Sequence, residues 1–81
     1  MSININIQYF AILREQRGMS QESCPTQSRT AAELYEELKS LYQFSLPVSL
    51  IKVAVNNEFV EWNYVLQPND TIVFIPPVAG G

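Results

Sequence analysis

The segment Phe74-Ile75-Pro76-Pro77-Val78-Ala79-Gly80-Gly81 suits a covalent chemistry that needs no reactive side chain. An apolar run meets two consecutive prolines. These lack backbone N–H groups and hold φ near about −65°, so they end sheet pairing and start an extended arm. Pro77 to Gly81 then reach about 17 Å from the body, at ~3.3 Å per residue. Gly80 and Gly81 carry no side chain, so no Cβ crowds the carbonyl carbon and the arm fits a narrow pocket on another protein. The expectation is a terminus whose main-chain carboxylate is itself the reacting group. Chain ends are commonly Gly-rich, and Gly-Gly alone is a weak signal; Gly-Gly directly after a strand-plus-proline exit is a rarer pattern.

Other chemistries find little footing. The sequence has no histidine, which removes the usual general base, the Ser–His and Cys–His pairs and the commonest zinc ligand. No Cys or His cluster has metal-ligand spacing, so no metal site is expected. Gly18, Gly80 and Gly81 are the only glycines, which leaves no Gly-rich phosphate loop. Cys24 has no imidazole to activate it. Net charge is −3, and the five basic residues, Arg14, Arg17, Arg29, Lys39 and Lys52, are scattered. Nucleic-acid binding rests on clustered cations, so it is not expected. Trp62 and the tyrosines then read as packing residues rather than base-stacking platforms. An acidic chain is instead steered towards a basic partner surface. These absences favour a carrier or binding module over a self-sufficient enzyme.

At 81 residues the chain reads as one domain, which buries roughly 60–65% of its unfolded surface. No apolar run approaches the roughly 18–20 residues of a membrane span, so no membrane partner is expected. The start, Met1-Ser2-Ile3-Asn4, has no basic n-region. A single cysteine allows no internal disulfide and fits a reducing compartment, so a cytoplasmic location is expected.

The elements that must position the arm follow from periodicity. Ile3-Asn4-Ile5-Asn6-Ile7-Gln8-Tyr9 alternates strictly, which places Ile3, Ile5, Ile7 and Tyr9 on one face of a half-buried strand. Phe10 to Arg17 loses the alternation and predicts a short helical turn closed by Gly18. Met19 to Cys24 is a more polar strand, closed by Pro25 and placed at an edge. Thr30-Ala31-Ala32-Glu33 has the form of a capping box, with Glu33 reaching back. Ala31, Leu34, Tyr35, Leu38, Leu41 and Tyr42 follow helical spacing. The main helix is therefore expected over about Thr30 to Tyr42, with Leu34, Leu38 and Leu41 on the sheet. Glu33, Glu36 and Glu37 take the solvated side, favoured near the positive helix N-terminus. Ile51 to Val55 alternates, Asn56-Asn57 suits a turn with φ > 0, and Glu58 to Val60 returns. Gln67-Pro68-Asn69-Asp70 is a further turn. Thr71 to Ile75 is apolar on both faces and reads as a central strand. The order is β, turn, β, helix, β, β, connection, β, with the first and last strands side by side. The fold class is therefore α+β, a β-grasp arrangement with a mixed sheet of four or five strands and one main helix across one face. Residues 1–76 form the domain and 77–81 the tail.

The chain resembles the small subunits of molybdopterin synthase, a family of ubiquitin-like sulfur carriers. The resemblance is carried by Tyr9-Phe10-Ala11-Ile12-Leu13-Arg14-Glu15 with Gly18, by Ala54-Val55-Asn56-Asn57, and by Asn69 through Ile75 into Pro76-Pro77-Val78-Ala79-Gly80-Gly81. The related thiamine sulfur carriers share Gly-Gly but usually lack Pro-Pro. The resemblance implies that a ubiquitin-activating-like enzyme adenylates the Gly81 carboxylate with ATP and Mg²⁺. A sulfur donor protein then converts it to a thiocarboxylate. Pro76, Pro77, Val78, Ala79 and Gly80 thread the tail into a large subunit, where its sulfur builds the dithiolene of a pterin. This chain would bind no cofactor itself, and the large subunit would supply the catalytic groups in a heterotetramer. Phe10 and Phe59 match apolar contact positions of the family. With Ile75, facing outward if Phe74 enters the core, they would form a partner surface; the competing expectation puts Phe10 and Phe59 in the core. A carrier for thiamine or tRNA thiolation, or an interaction module with an inert tail, are the alternatives.

Overall fold

Alternating isoleucines build the first strand, β1 (Ile3–Tyr9), in a computed structural model that describes residues 2–77. Ile5, Ile7 and Tyr9 turn inward and are fully buried, while Ile3 at the strand's start is half-buried. The chain then turns through Ala11, at φ 52°, into α1 (Ala11–Arg17). Gly18, at φ 86°, ends α1 in the left-handed region, its N–H donating to the Arg14 carbonyl. An L side chain is disfavoured in that conformation and glycine is not.

The second strand, β2 (Gln21–Thr26), runs antiparallel to β1 at the sheet's edge. Pro25 does not close it; the strand continues to Thr26, with Pro25 opposite Asn4. An edge strand pairs on one side only, and there a residue without an N–H is tolerated. Helix α2 (Ala31–Tyr42) is capped by Thr30, whose hydroxyl accepts from the Glu33 N–H. The Glu33 carboxylate reaches back one residue further than expected, to the Arg29 N–H at 2.8 Å.

Ala31, Leu34, Tyr35 and Leu38 of α2 are buried. Leu41 is not: it is 61% exposed, which corrects its expected place on the sheet. Gln43, in the left-handed region, reverses the chain after α2, and Phe44 folds back as a buried ring about 6 Å from those of Tyr9, Tyr35 and Tyr42. A single helical turn at Val48–Leu50 leads to β3 (Lys52–Val55), then β4 (Glu58–Val60) and β5 (Thr71–Ile75). Asn56 and Asn57, at φ 52° and 73°, form the turn between β3 and β4.

The strands order β2-β1-β5-β3-β4. β5 is central: it pairs parallel with β1 and antiparallel with β3. Its inward residues Ile72 and Phe74 are fully buried, and Phe74 stacks on Trp62 and meets Tyr35 edge-on. The result is a five-stranded mixed sheet with α2 across one face, the β-grasp arrangement.

Candidate functional site

β5 decides what the other face of the sheet presents. Because successive strand residues point to opposite faces, Thr71, Val73 and Ile75 face away from α2, and each is half-buried. The register sets Ala54 beside Val73 on β5 and beside Phe59 on β4, and sets Lys52 beside Ile75. On the other flank Tyr9 aligns with Phe74, so Phe10, still extended, falls beside Ile75. Phe10 is 47% exposed and Phe59 is 71% exposed, which removes the reading of either ring as core. The fold therefore collects Phe10, Ile75 and Phe59 on one face, with Val73 and Ala54 between them.

The same face changes character across β1 and β2. There Asn6, Gln8, Gln21 and Ser23 present amides and a hydroxyl. At the opposite end of the sheet a groove of about 560 Å³ opens beside Phe59, with Leu50, Lys52, Val60, Glu61 and Trp62 among its lining residues. Reading the chain alone did not single out Leu50, Val73 or Ala54 for this face. The apolar character of β5 on both faces was the available signal for Val73.

The exit of the chain lies at the edge of the apolar half. Ile75 ends β5, Pro76 is buried against the body and Pro77 is exposed. The expectations placed on Val78, Ala79, Gly80 and Gly81 lie outside the described residues.

Perturbed titrating groups lie elsewhere. Tyr9 donates to Glu22, which also holds Arg17, and this cluster sits at the start of β2 beside α1. Cys24 is half-buried opposite Ile5, and burial pushes its thiol up, aided by Glu22 and Glu37. It is a poor thiolate at neutral pH and packs against the core. Among the described residues no group of three or more His, Cys, Asp or Glu could hold a metal ion. No helix there is long and apolar enough to cross a membrane.

Asp70 ties two turns together at the far end of the sheet. It is 5% exposed, and its carboxylate accepts from Asn56 Nδ2 at 2.9 Å, the Gln67 N–H at 2.8 Å and the Tyr64 hydroxyl at 3.0 Å. Asn56 Oδ1 accepts from the Thr71 N–H. Two stretches that carried the sequence resemblance, around Asn56 and around Asp70, are thus bonded to one another and set where β5 begins.

The sequence pattern of the ThiS family matches residues 7–81. The chain belongs to the ThiS family. Among its relatives, a molybdopterin synthase sulfur carrier subunit from Dictyostelium discoideum is 33% identical over 86 aligned residues, covering all of both chains. A molybdopterin synthase sulfur carrier subunit from Homo sapiens is 34% identical, covering 95% of this chain and 93% of that one. A solved structure of a putative molybdopterin converting factor, subunit 1, from Pyrococcus furiosus has a TM-score of 0.73 and 25% identity, covering 94% and 99% of the two chains. In this ThiS family member the apolar sheet face and the chain exit are neighbours.

Proposed function

We propose that this ThiS family protein is a sulfur carrier and serves as the small subunit of a molybdopterin synthase. The observation that carries the reading is the end-to-end likeness to two proteins of that name, at 33% and 34% identity. The exposed apolar face beside the exit of β5 supports it, since a carrier must dock its domain while it offers its end.

In this reading the main-chain carboxylate of Gly81 is the reacting group. A ubiquitin-activating-like partner transfers AMP from ATP, with Mg²⁺, to the carboxylate, which turns a poor leaving group into a good one. Sulfide-level sulfur delivered by a donor protein attacks the acyl carbon, AMP leaves as the acyl–phosphate bond breaks, and the terminus becomes a thiocarboxylate. Pro77 to Gly80 then carry it into the large subunit, which directs the sulfur to a pterin precursor. Phe10, Phe59 and Ile75 hold the domain against that subunit, two carriers on a central dimer, in the cytoplasm. Proteins bind through central apolar anchors rather than through total area, and an aromatic residue as exposed as Phe59 has that form.

The test has two readouts. After co-expression with the activating enzyme and sulfur donor, intact mass is expected to show one oxygen replaced by sulfur; an unchanged mass overturns the carrier reading. Pull-down with the wild-type chain is expected to recover the large subunit. Recovery of a thiazole- or tRNA-modifying enzyme instead would move the chain to another thiolation pathway. Phe59→Glu is expected to keep the melting curve and to lose the large subunit.

A further inference from the structure

The sheet has two edges, and they differ. β2 carries Pro25, which has no N–H to offer, and polar or charged residues along its length. Such residues blunt an edge against pairing with another chain. β4 is the other edge, and its middle residue is Phe59, the most exposed of the large apolar side chains among the described residues.

The turn fixes which backbone groups β4 shows to solvent. Asn56 and Asn57, at φ 52° and 73°, match the two-residue type I′ hairpin. The flanking residues Val55 and Glu58 then form the hydrogen-bonded pair, and the ladder alternates from there. Ala54 and Phe59 are the next, non-hydrogen-bonded pair. The N–H and C=O of Phe59 therefore point away from β3, to the open side. One residue presents a donor, an acceptor and an exposed ring together.

The groove lies next to it. Leu50, 51% exposed, gives it an apolar wall, and Lys52 and Glu61 border it with opposite charges. Leu50 and Trp62 offer an incoming side chain apolar contact between those two charges. The groove's position also names the occupant. β5 and β4 flank β3, so the open edge lies about 10 Å from the exit strand, at ~4.8 Å per strand spacing. The groove is continuous with the Phe59 face and shares the exit end of β5, so a partner that takes the arm and docks on Phe59, as proposed above, is within reach of this edge.

We propose that an extended strand of the tail-receiving large subunit adds to the sheet at β4, pairing with the N–H and C=O of Phe59 and seating an apolar side chain beside Leu50. This mode, strand addition to an open edge, takes affinity from main-chain hydrogen bonds and specificity from a side-chain pocket. The inference rests on the sulfur-carrier reading and deepens it.

Amide hydrogen exchange of the isotope-labelled chain, free and with unlabelled large subunit, tests it. In the complex the Phe59 N–H is expected to exchange at least about tenfold more slowly, as a solvent-facing amide becomes paired. Leu50→Asp, at a half-exposed side chain outside the core cluster, is expected to weaken the complex at least about tenfold and to leave the melting curve unchanged. A complex in which Phe59 exchanges at its free rate overturns strand addition and leaves the carrier reading standing. Protection of Phe59 in the isolated chain, with a dimer in sedimentation, assigns the edge to a second copy and overturns it too. Failure of the wild-type chain to form any complex overturns both.

Discussion

Glu22 is the most heavily engaged surface carboxylate. Arg17 donates to it twice at 2.9 Å, the Tyr9 hydroxyl donates at 2.6 Å, and the Arg17 guanidinium lies 4.0 Å over the Tyr42 ring. The hydrogen bonds from Arg17 hold the carboxyl below its ordinary 4.5; the Tyr9 hydroxyl adds to this and partial burial opposes it. The Arg17 guanidinium is shifted upward by the same contact, so both partners agree in sign. A carboxyl depressed in the folded state contributes stability that is present above its unfolded value. That stability is lost as pH falls through the folded value. Thermal melts are therefore expected to show wild type losing stability below about pH 4.5 more steeply than Glu22→Gln, with parallel curves near neutrality. Superimposable acid limbs would mean that the pair contributes nothing. None of this was legible beforehand, because Tyr9 and Arg17 meet Glu22, and Arg17 meets Tyr42, only once β1, α1, β2 and α2 are assembled. Asn56 and Asp70 were legible as turn residues, each from its own neighbours. The central position of β5 was legible from its two apolar faces; the bond between Asn56 and Asp70, which fixes where β5 begins, belongs to the tertiary structure.

Helix α2 shows where local pattern is sufficient and where it stops. Thr30, Ala31, Leu34, Tyr35 and Leu38 occupy the places that capping and spacing assign them. Leu41 obeys the same spacing and is exposed. At about 100° per residue, Leu41 lies farthest from the centre of the buried stripe. The space under the last turn is taken by Phe44, returning from outside the helix. Periodicity within one element cannot see a ring that arrives from the next. The two leucines therefore differ in what they contribute. Leu38→Ala is expected to cost about 2–5 kcal/mol, a large share of a small domain's stability. Leu41→Ala is expected to stay within about 0.5 kcal/mol. Denaturant melts of the two variants check both values, and equal losses would return Leu41 to the core.

For the molecule as a whole, the proposed chemistry and the fold occupy different parts of the chain. Deleting Gly81 shortens the arm by ~3.3 Å; adding a residue after it converts the carboxyl to an ordinary amide. Both variants are expected to melt like wild type, to bind the large subunit in part, and to take up no usable sulfur. Normal transfer by the extended variant, with its extra residue still attached, would exclude Gly81 as the carrier. The two parts nonetheless meet at β5, which leads into the arm and joins the halves of the sheet. Four residue pairs link β5 to β1 in parallel, and four link it to β3. A pull on the arm is thus a pull along the central strand. Tension between the start of β1 and the end of β5 slides the two strands past each other, so their hydrogen bonds must yield together. The β3–β4 hairpin, held at its two open ends, parts one bond at a time. Forced unfolding reports the barrier to opening rather than the equilibrium stability. Single-molecule stretching from Ile3 and Pro77 is therefore expected to need more force than stretching from Lys52 and Val60. A partner that draws in the arm, or a motor that seizes it, therefore loads the β1–β5 pair in shear rather than by unzipping.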